Sequence, residues 1–143
     1  MLELKACTIS AWKADGMPRQ NIASGSPFEP VYGYSRAVRV GNQAHVSGTT
    51  AQRPHLDGDT YQQTLGAFGI RAAFEKTGAR IEDVVRTVVY ITDIVDASLV
   101  ARAHRETFGH IMPASTLVQV AALLQPNMRI EVEAYAVIDE EEK

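Results

Sequence analysis

Cysteine is nearly absent. The one thiol, Cys7, stands alone among 143 residues, so the chain can close no internal disulfide, and a reducing cytosol is its natural setting. Long apolar runs are missing too, and none approaches the roughly 18 residues that a membrane span needs. The first residues, with Glu3 and Lys5 and no long apolar core, do not read as a secretory signal. Positive charge is scarce: 14 Lys and Arg stand against 17 Asp and Glu, for a formal net charge of −3 and an isoelectric point near 5.8. That balance argues against a general binder of nucleic acid or anionic membranes. Neither a low-complexity segment nor a repeat at a solenoid period occurs. What remains is an ordinary globular composition, 45% apolar and 22% charged. It reads as a single domain over residues 1–143, long enough to bury a core without disulfides or metal.

Ready-made chemical motifs are also few. The four histidines, His45, His55, His104 and His110, show no i, i+4 or Cys-associated spacing, so no metal site is expected and structural or surface roles fit them better. No glycine-rich phosphate loop follows a strand, and Ser24-Gly25-Ser26 reads as a turn. Cys7 has no evident histidine partner, which speaks against a nucleophile.

The clearest pattern closes the chain. From Pro113 a β-rich run extends to Leu123, a polar break follows at Gln125-Pro126-Asn127, and residues 129–138 then alternate strictly. Ile130, Val132, Ala134, Ala136 and Ile138 share one face of that strand, with Glu131, Glu133 and Tyr135 on the other. The two carboxylates stand about 7 Å apart by strand rise. A solvated outer face explains them on spacing alone.

Upstream, residues 1–17 are poorly patterned and Gln20-Asn21-Ile22 suits an edge strand. Residues 24–30 read as an irregular loop. Extended runs at 34–40 and 44–47, joined by Gly41-Asn42-Gln43, predict a hairpin. Asp59 with Gln62 forms a capping-box pattern at the start of a helix that Thr77-Gly78 ends. Residues 84–92, rich in β-branched side chains, predict a central strand. Asp96 or Ser98 can cap a second helix running to about Phe108. The sum is an α+β sandwich: a mixed sheet with two helices on one face. Its other face still carries apolar or small residues at 84–92 and 116–120, and an uncovered apolar sheet face is normally an interface. Oligomerisation is therefore expected. Polar residues gather at two strand ends, 47–50 and 113–116, where loops often line sites, although ordinary turn chemistry is the commoner explanation.

Several segments occur in a telling order: Gly33-Tyr34-Ser35-Arg36-Ala37-Val38, Val40-Gly41-Asn42, Val46-Ser47-Gly48, Gly78 leading to Val84-Val85-Arg86-Thr87-Val88-Val89-Tyr90-Ile91, Pro113-Ala114-Ser115-Thr116, and Ile130-Glu131-Val132-Glu133-Ala134. In these the chain resembles the Rid family, also called YjgF/YER057c/UK114 or "endoribonuclease L-PSP", over about residues 31–138. The resemblance implies a chorismate-mutase-like fold and a homotrimer whose sheets line a central β-barrel, with a small-molecule ligand in each of three intersubunit clefts. The implied activity is hydrolysis of reactive enamines and imines to keto acids and ammonia, with no cofactor. Carried over to this chain, Glu131 would position water as the catalytic group, and burial against an apolar wall would raise its pKa. Tyr34, Ser47, Gly48, Thr49, Tyr90 and Ser115 would bind substrate.

One position departs from the family. Its members carry an arginine directly after Pro-Ala that clamps the substrate carboxylate, whereas this chain has Ser115. A hydroxyl does not replace a bidentate guanidinium, so the chain resembles a subgroup lacking that arginine, and weak hydrolysis of simple 2-imino acids is expected unless Arg36 or Arg86 supplies the charge. Three functions stay open: a hydrolase or deaminase, a non-catalytic trimer that binds a metabolite or a protein, and a ribonuclease or translation inhibitor. The acidic balance weighs against the last.

Overall fold

The computed structural model describes residue 16 and residues 18–141; most of the unpatterned N-terminal segment, Cys7 included, lies outside the described residues. Six strands form one sheet: β1 (Arg19–Ile22), β2 (Ala37–Val40), β3 (Gln43–Thr49), β4 (Val84–Ile91), β5 (Ala114–Gln119) and β6 (Ile130–Val137), in the spatial order β1-β2-β3-β6-β4-β5. All neighbours pair antiparallel except β4 and β5, which run parallel. The alternating strand β6 thus lies inside the sheet, held by β3 on one side and β4 on the other. Strand β5 is an edge strand, exposed along nearly all its length.

The β2–β3 hairpin turns on two residues, Gly41 and Asn42, between the pair Val40 and Gln43. Gly41 takes a left-handed φ of 59°, the conformation a tight hairpin demands and a side chain resists. The strand expected from residue 34 begins only at Ala37, and the loop expected at 24–30 contains a short helix, α1 (Phe28–Tyr32).

The helix expected between Asp59 and Thr77 is two helices, α2 (Thr60–Ala67) and α3 (Ile70–Thr77). Its start follows the sequence pattern: Asp59 accepts from Gln62 N at 2.8 Å, and the Gln62 amide oxygen accepts from Asp59 N at 3.0 Å. The break falls at Phe68-Gly69, where Gly66 and Gly69, poor helix formers, are spaced across the joint. Helix α4 (Ala97–Phe108) has Asp96 at its N-cap position without a side-chain capping bond. The Asp96 carboxylate is drawn instead to the Thr60 hydroxyl at 2.6 Å and lies 3.9 Å from Arg129, tying α2 to α4.

The core lies between the helices and one sheet face. Ile130, Val132 and Ala134 of β6, with Val89 and Ile91 of β4, are fully buried with Phe74 and Phe108. The other face of β6 presents Glu131, Glu133 and Tyr135, each half-buried. Among the described residues no helix is long and apolar enough to cross a membrane.

Candidate functional site

Two polar clusters stand on opposite faces of the sheet, and the residues expected at a site divide between them. The first sits where β3 meets β6. The register between these strands shifts from Val46 to Thr49, so Ser47 and Gly48 bulge out of the ladder and expose backbone groups that regular pairing would satisfy. Arg36, just before β2, reaches across to take them. One guanidinium nitrogen donates to Ser47 O, to Gly48 O at 3.0 Å and to Thr49 Oγ1. The Ser47 hydroxyl donates to Ser35 O at 2.7 Å, locking the preceding loop to the bulge.

Gly48 faces Glu131. A Cβ built on Gly48 would meet Glu131 Oε1 at 2.1 Å, so the carboxylate occupies the space a side chain would need, and glycine is required by close approach. Burial raises the Glu131 pKa above its ordinary value, and the neighbouring Glu133 charge adds to the rise while Arg36 opposes it. Arg36 itself is partly buried. Loss of water pushes its pKa down against the charges of Tyr34, Glu29 and Glu131, and its Nε is buried without a hydrogen-bond partner among the described residues.

Tyr34, Ser47, Gly48, Thr49 and Glu131 therefore share one corner with Arg36. Tyr90 is opposite Glu131 in the β4–β6 register, yet its hydroxyl donates to Glu133 at 2.8 Å. That bond, with burial behind it, pushes the Tyr90 pKa up to about 12. Arg86 points along the same sheet face and donates to Thr116 Oγ1 at 3.1 Å.

Ser115 is elsewhere. It pairs with Thr87 in the β4–β5 register, and Thr87 pairs with the buried Ala134, so Ser115 belongs to the helix-bearing side, away from Glu131. The Thr87 hydroxyl donates to Ser115 Oγ at 2.8 Å and lies 2.9 Å from His104 Nε2 of α4. His104 stacks edge-on against Phe68 and tilted against Phe108, at 5.9 and 4.9 Å, and burial lowers its pKa. Ser115, His104 and Phe108, with Arg105, Met112, Pro113 and Leu117, line a groove of about 360 Å³ between α4 and β5.

Sequence reasoning missed the Thr87–His104 pair. The available signal was His104 on the inner stripe of α4, in step with Val100 and Phe108, where an isolated polar ring needs a buried partner. Among the described residues no cluster of His, Cys, Asp or Glu could hold a metal ion.

A mixed sheet with helices on one face, and with a half-buried carboxyl beside a strand bulge on the other, defines an α+β sandwich of the YjgF type. The structure matches that of a YjgF/YER057c/UK114-family protein of Mycobacterium tuberculosis with a TM-score of 0.80 and 41% identity, over 85% of this chain and 100% of that one. Residues 25–138 match the Endoribonuclease L-PSP family, and the chain belongs to that family, known also as Rid. It is 38% identical over 122 residues to an uncharacterised protein of Streptomyces coelicolor, spanning 81% of this chain and 91% of the other. It is 30% identical over 127 residues to a 2-iminobutanoate/2-iminopropanoate deaminase of Dermatophagoides farinae, spanning 85% and 98%.

Proposed function

We propose that the protein is a cofactor-free hydrolase of the Rid type, acting as a homotrimer on the C=N bond of a small metabolite held between copies. The observation that carries this reading is Glu131, a half-buried carboxyl whose pKa is raised by burial and which is seated against the Gly48 bulge. A carboxyl tuned upward can both accept and return a proton near neutral pH. In the proposed step, water adds to the imine carbon as Glu131 takes its proton and the nitrogen is protonated. The C–N bond then breaks, ammonia leaves, and the carbinol oxygen loses its proton to form the carbonyl. Arg36 holds the bulge carbonyls in place, and its buried Nε has no acceptor among the described residues.

The trimer supplies what a single copy lacks. Ser115 and Glu131 lie on opposite faces of their own sheet, so a ligand touching both needs the β5 edge of one copy against the β3–β6 corner of the next. The exposed edge strand, with Leu117 and Val118 at 37% and 40% exposure, suits such a contact. Relatives named 2-iminobutanoate/2-iminopropanoate deaminases suggest the substrate class. Ser115 contributes no charge there, so hydrolysis of simple 2-imino acids requires a cation from another position.

The test is a coupled assay in which an amino-acid oxidase generates the imine. Glu131→Gln should lower turnover about a hundredfold with the oligomer mass unchanged. A native protein without imine hydrolysis that still binds a metabolite, with Glu131→Gln changing affinity alone, would favour a non-catalytic binding trimer.

A further inference from the structure

Among the described residues, two apolar surfaces are left uncovered, and they lie toward opposite ends of the sheet. The first is α1. Phe28, Val31 and Tyr32 are 61%, 83% and 84% exposed, while Glu29 beside them is buried. The helix is firmly held all the same. The Glu29 carboxylate accepts from Ser24 N at 2.8 Å and from the Ser24 hydroxyl. Gly33, with a left-handed φ of 84°, ends the helix by donating its N–H to Glu29 O at 2.8 Å. The Tyr32 ring leans edge-on against Tyr34 at 5.9 Å. A short helix pinned through a buried polar residue, with its apolar side chains turned to solvent, is a contact surface set in advance.

The second surface is the groove between α4 and β5. Val100 and Phe108 are buried in its wall, and Met112 and Leu117 are exposed along its rim. Met112 is held there by a left-handed φ of 57°, and its N–H donates to Phe108 O at 2.8 Å. Its unbranched thioether chain adapts to whatever packs on it.

One chain cannot join these surfaces by itself. Residues 33–36 lead from α1 into β2, and four strand spacings separate β2 from β5, about 19 Å at roughly 4.8 Å each. Four linking residues reach no further than about 14 Å, and Ser35 is tied down by the Ser47 hydroxyl. The two surfaces therefore meet only between copies. A contact between different patches of identical chains closes into a ring or runs on as a filament. Ser35 and Arg36, which follow α1, bond to the Ser47–Thr49 bulge against Glu131. An α1 seated on the next copy's groove thus carries the Glu131 corner toward that copy's Ser115. Aromatic side chains bury about 150–250 Å² each, so α1 contributes on the order of 400 Å² per contact. That is about half of the roughly 800 Å² per partner of a standard interface, and the exposed β5 edge offers the remainder.

We propose that α1 is the interlocking element of the assembly: Phe28, Val31 and Tyr32 of each copy seat on the Met112–Leu117 rim of the α4–β5 groove of the next, and three such contacts close the ring. This rests on the trimer proposed above and names the surfaces that form it.

Light scattering coupled to size exclusion, at micromolar protein, tests it. Tyr32→Asp and Met112→Asp should each weaken association about tenfold or more, because each sets a charge against an apolar wall. The mass should fall from three chains toward one. Both side chains are exposed in the single chain, so the variants should keep the native circular dichroism spectrum. A second measurement places p-benzoylphenylalanine at position 32. Irradiation should crosslink it to peptides within residues 97–119 of another copy, traced by mixing heavy- and light-isotope chains. A native trimer that both aspartate variants leave intact overturns the α1–groove contact and leaves the trimer reading standing. Crosslinks from position 32 to other segments of the neighbouring copy do the same. A native monomer removes the trimer and the contact together.

Discussion

On one face of β6, Ile130, Val132 and Ala134 are completely buried against helices, and Ala136 nearly so. On the other face of the same strand, Glu131 and Tyr135 are half-buried, and burial raises the pKa of each. The two faces differ by one residue in register and entirely in what closes them. The covered face is sealed by this chain's own helices, and its residues contribute to stability through area removed from water. The open face keeps polar groups in a partly dry setting, where Tyr90 donates to Glu133 and burial raises the Glu131 pKa. Groups held in a disfavoured charge state collect at functional sites, and so the open face carries the proposed catalytic carboxyl. The same division explains Ser115, whose partners Thr87 and His104 belong to the covered side.

The sharpest way to separate the faces is to cut one side chain from each. Phe108 is fully buried beside the Phe68 ring at 5.0 Å, and Phe108→Ala should cost about 3–5 kcal/mol of stability, read from urea unfolding. Loss below about 1 kcal/mol would mean that α4 is not fixed to the sheet as described. On the open face the sign reverses. Because the folded state raises the Glu131 pKa above 4.5, the stability linked to its proton is fully present below pH 4.5 and is lost as pH rises through the raised value. Glu131→Gln removes that loss. Its melting temperature should exceed the native value at pH 7 and the two should converge toward pH 4, even as activity falls. A variant less stable than native at pH 7 would show that Glu131 is held by favourable contacts.

The smallest effect belongs to His104. Burial lowers its pKa below 6.5, so charging it opposes folding, and its contribution is present above pH 6.5 and lost as pH falls below that value. His104→Gln should flatten this part of the stability curve, measured by thermal denaturation between pH 7.5 and about 5. An unchanged slope would place the titration elsewhere and loosen the Thr87–His104 contact from the groove.

Much of the fold was legible because local rules and tertiary needs agree. The alternation of residues 130–138, the Gly-Asn hairpin and the Asp59–Gln62 capping box each produced the element they predict. Disagreement came where long-range contacts override a local preference. Asp96 has the chemistry of a cap, but Thr60 and Arg129 lie close enough to take its carboxylate. The helix after Asp59 breaks at Phe68-Gly69, which its broad apolar arc conceals. At the site, the likeness to the family assigned Tyr34, Ser47, Gly48, Thr49, Tyr90, Ser115 and Glu131 to one cleft; within a single chain Ser47, Gly48, Thr49 and Glu131 gather at one corner of the sheet, while Ser115 takes the opposite face. The face Ser115 takes was not legible, since it depends on the β4–β5 register, and that parallel pairing leaves no mark in either strand alone. His104 and Arg105 escaped notice for a related reason: they reach the groove from a helix whose sequence gives no sign of facing an edge strand.

The central claim is that the Glu131 corner of one copy works with the Ser115 edge of another. It is tested most directly by mixing two variants that should each lose imine hydrolysis, Glu131→Gln and Ser115→Trp, whose bulk fills the edge groove, refolding them together and assaying activity. Each site in a mixed trimer then draws its corner from one chain and its edge from the next. About a quarter of the sites should combine an intact corner with an intact edge, and activity should return to about that fraction of native for a closed three-fold ring. No recovery above the separate variants, with mixed trimers verified by mass, would mean that both groups act within a single chain and would contradict the account.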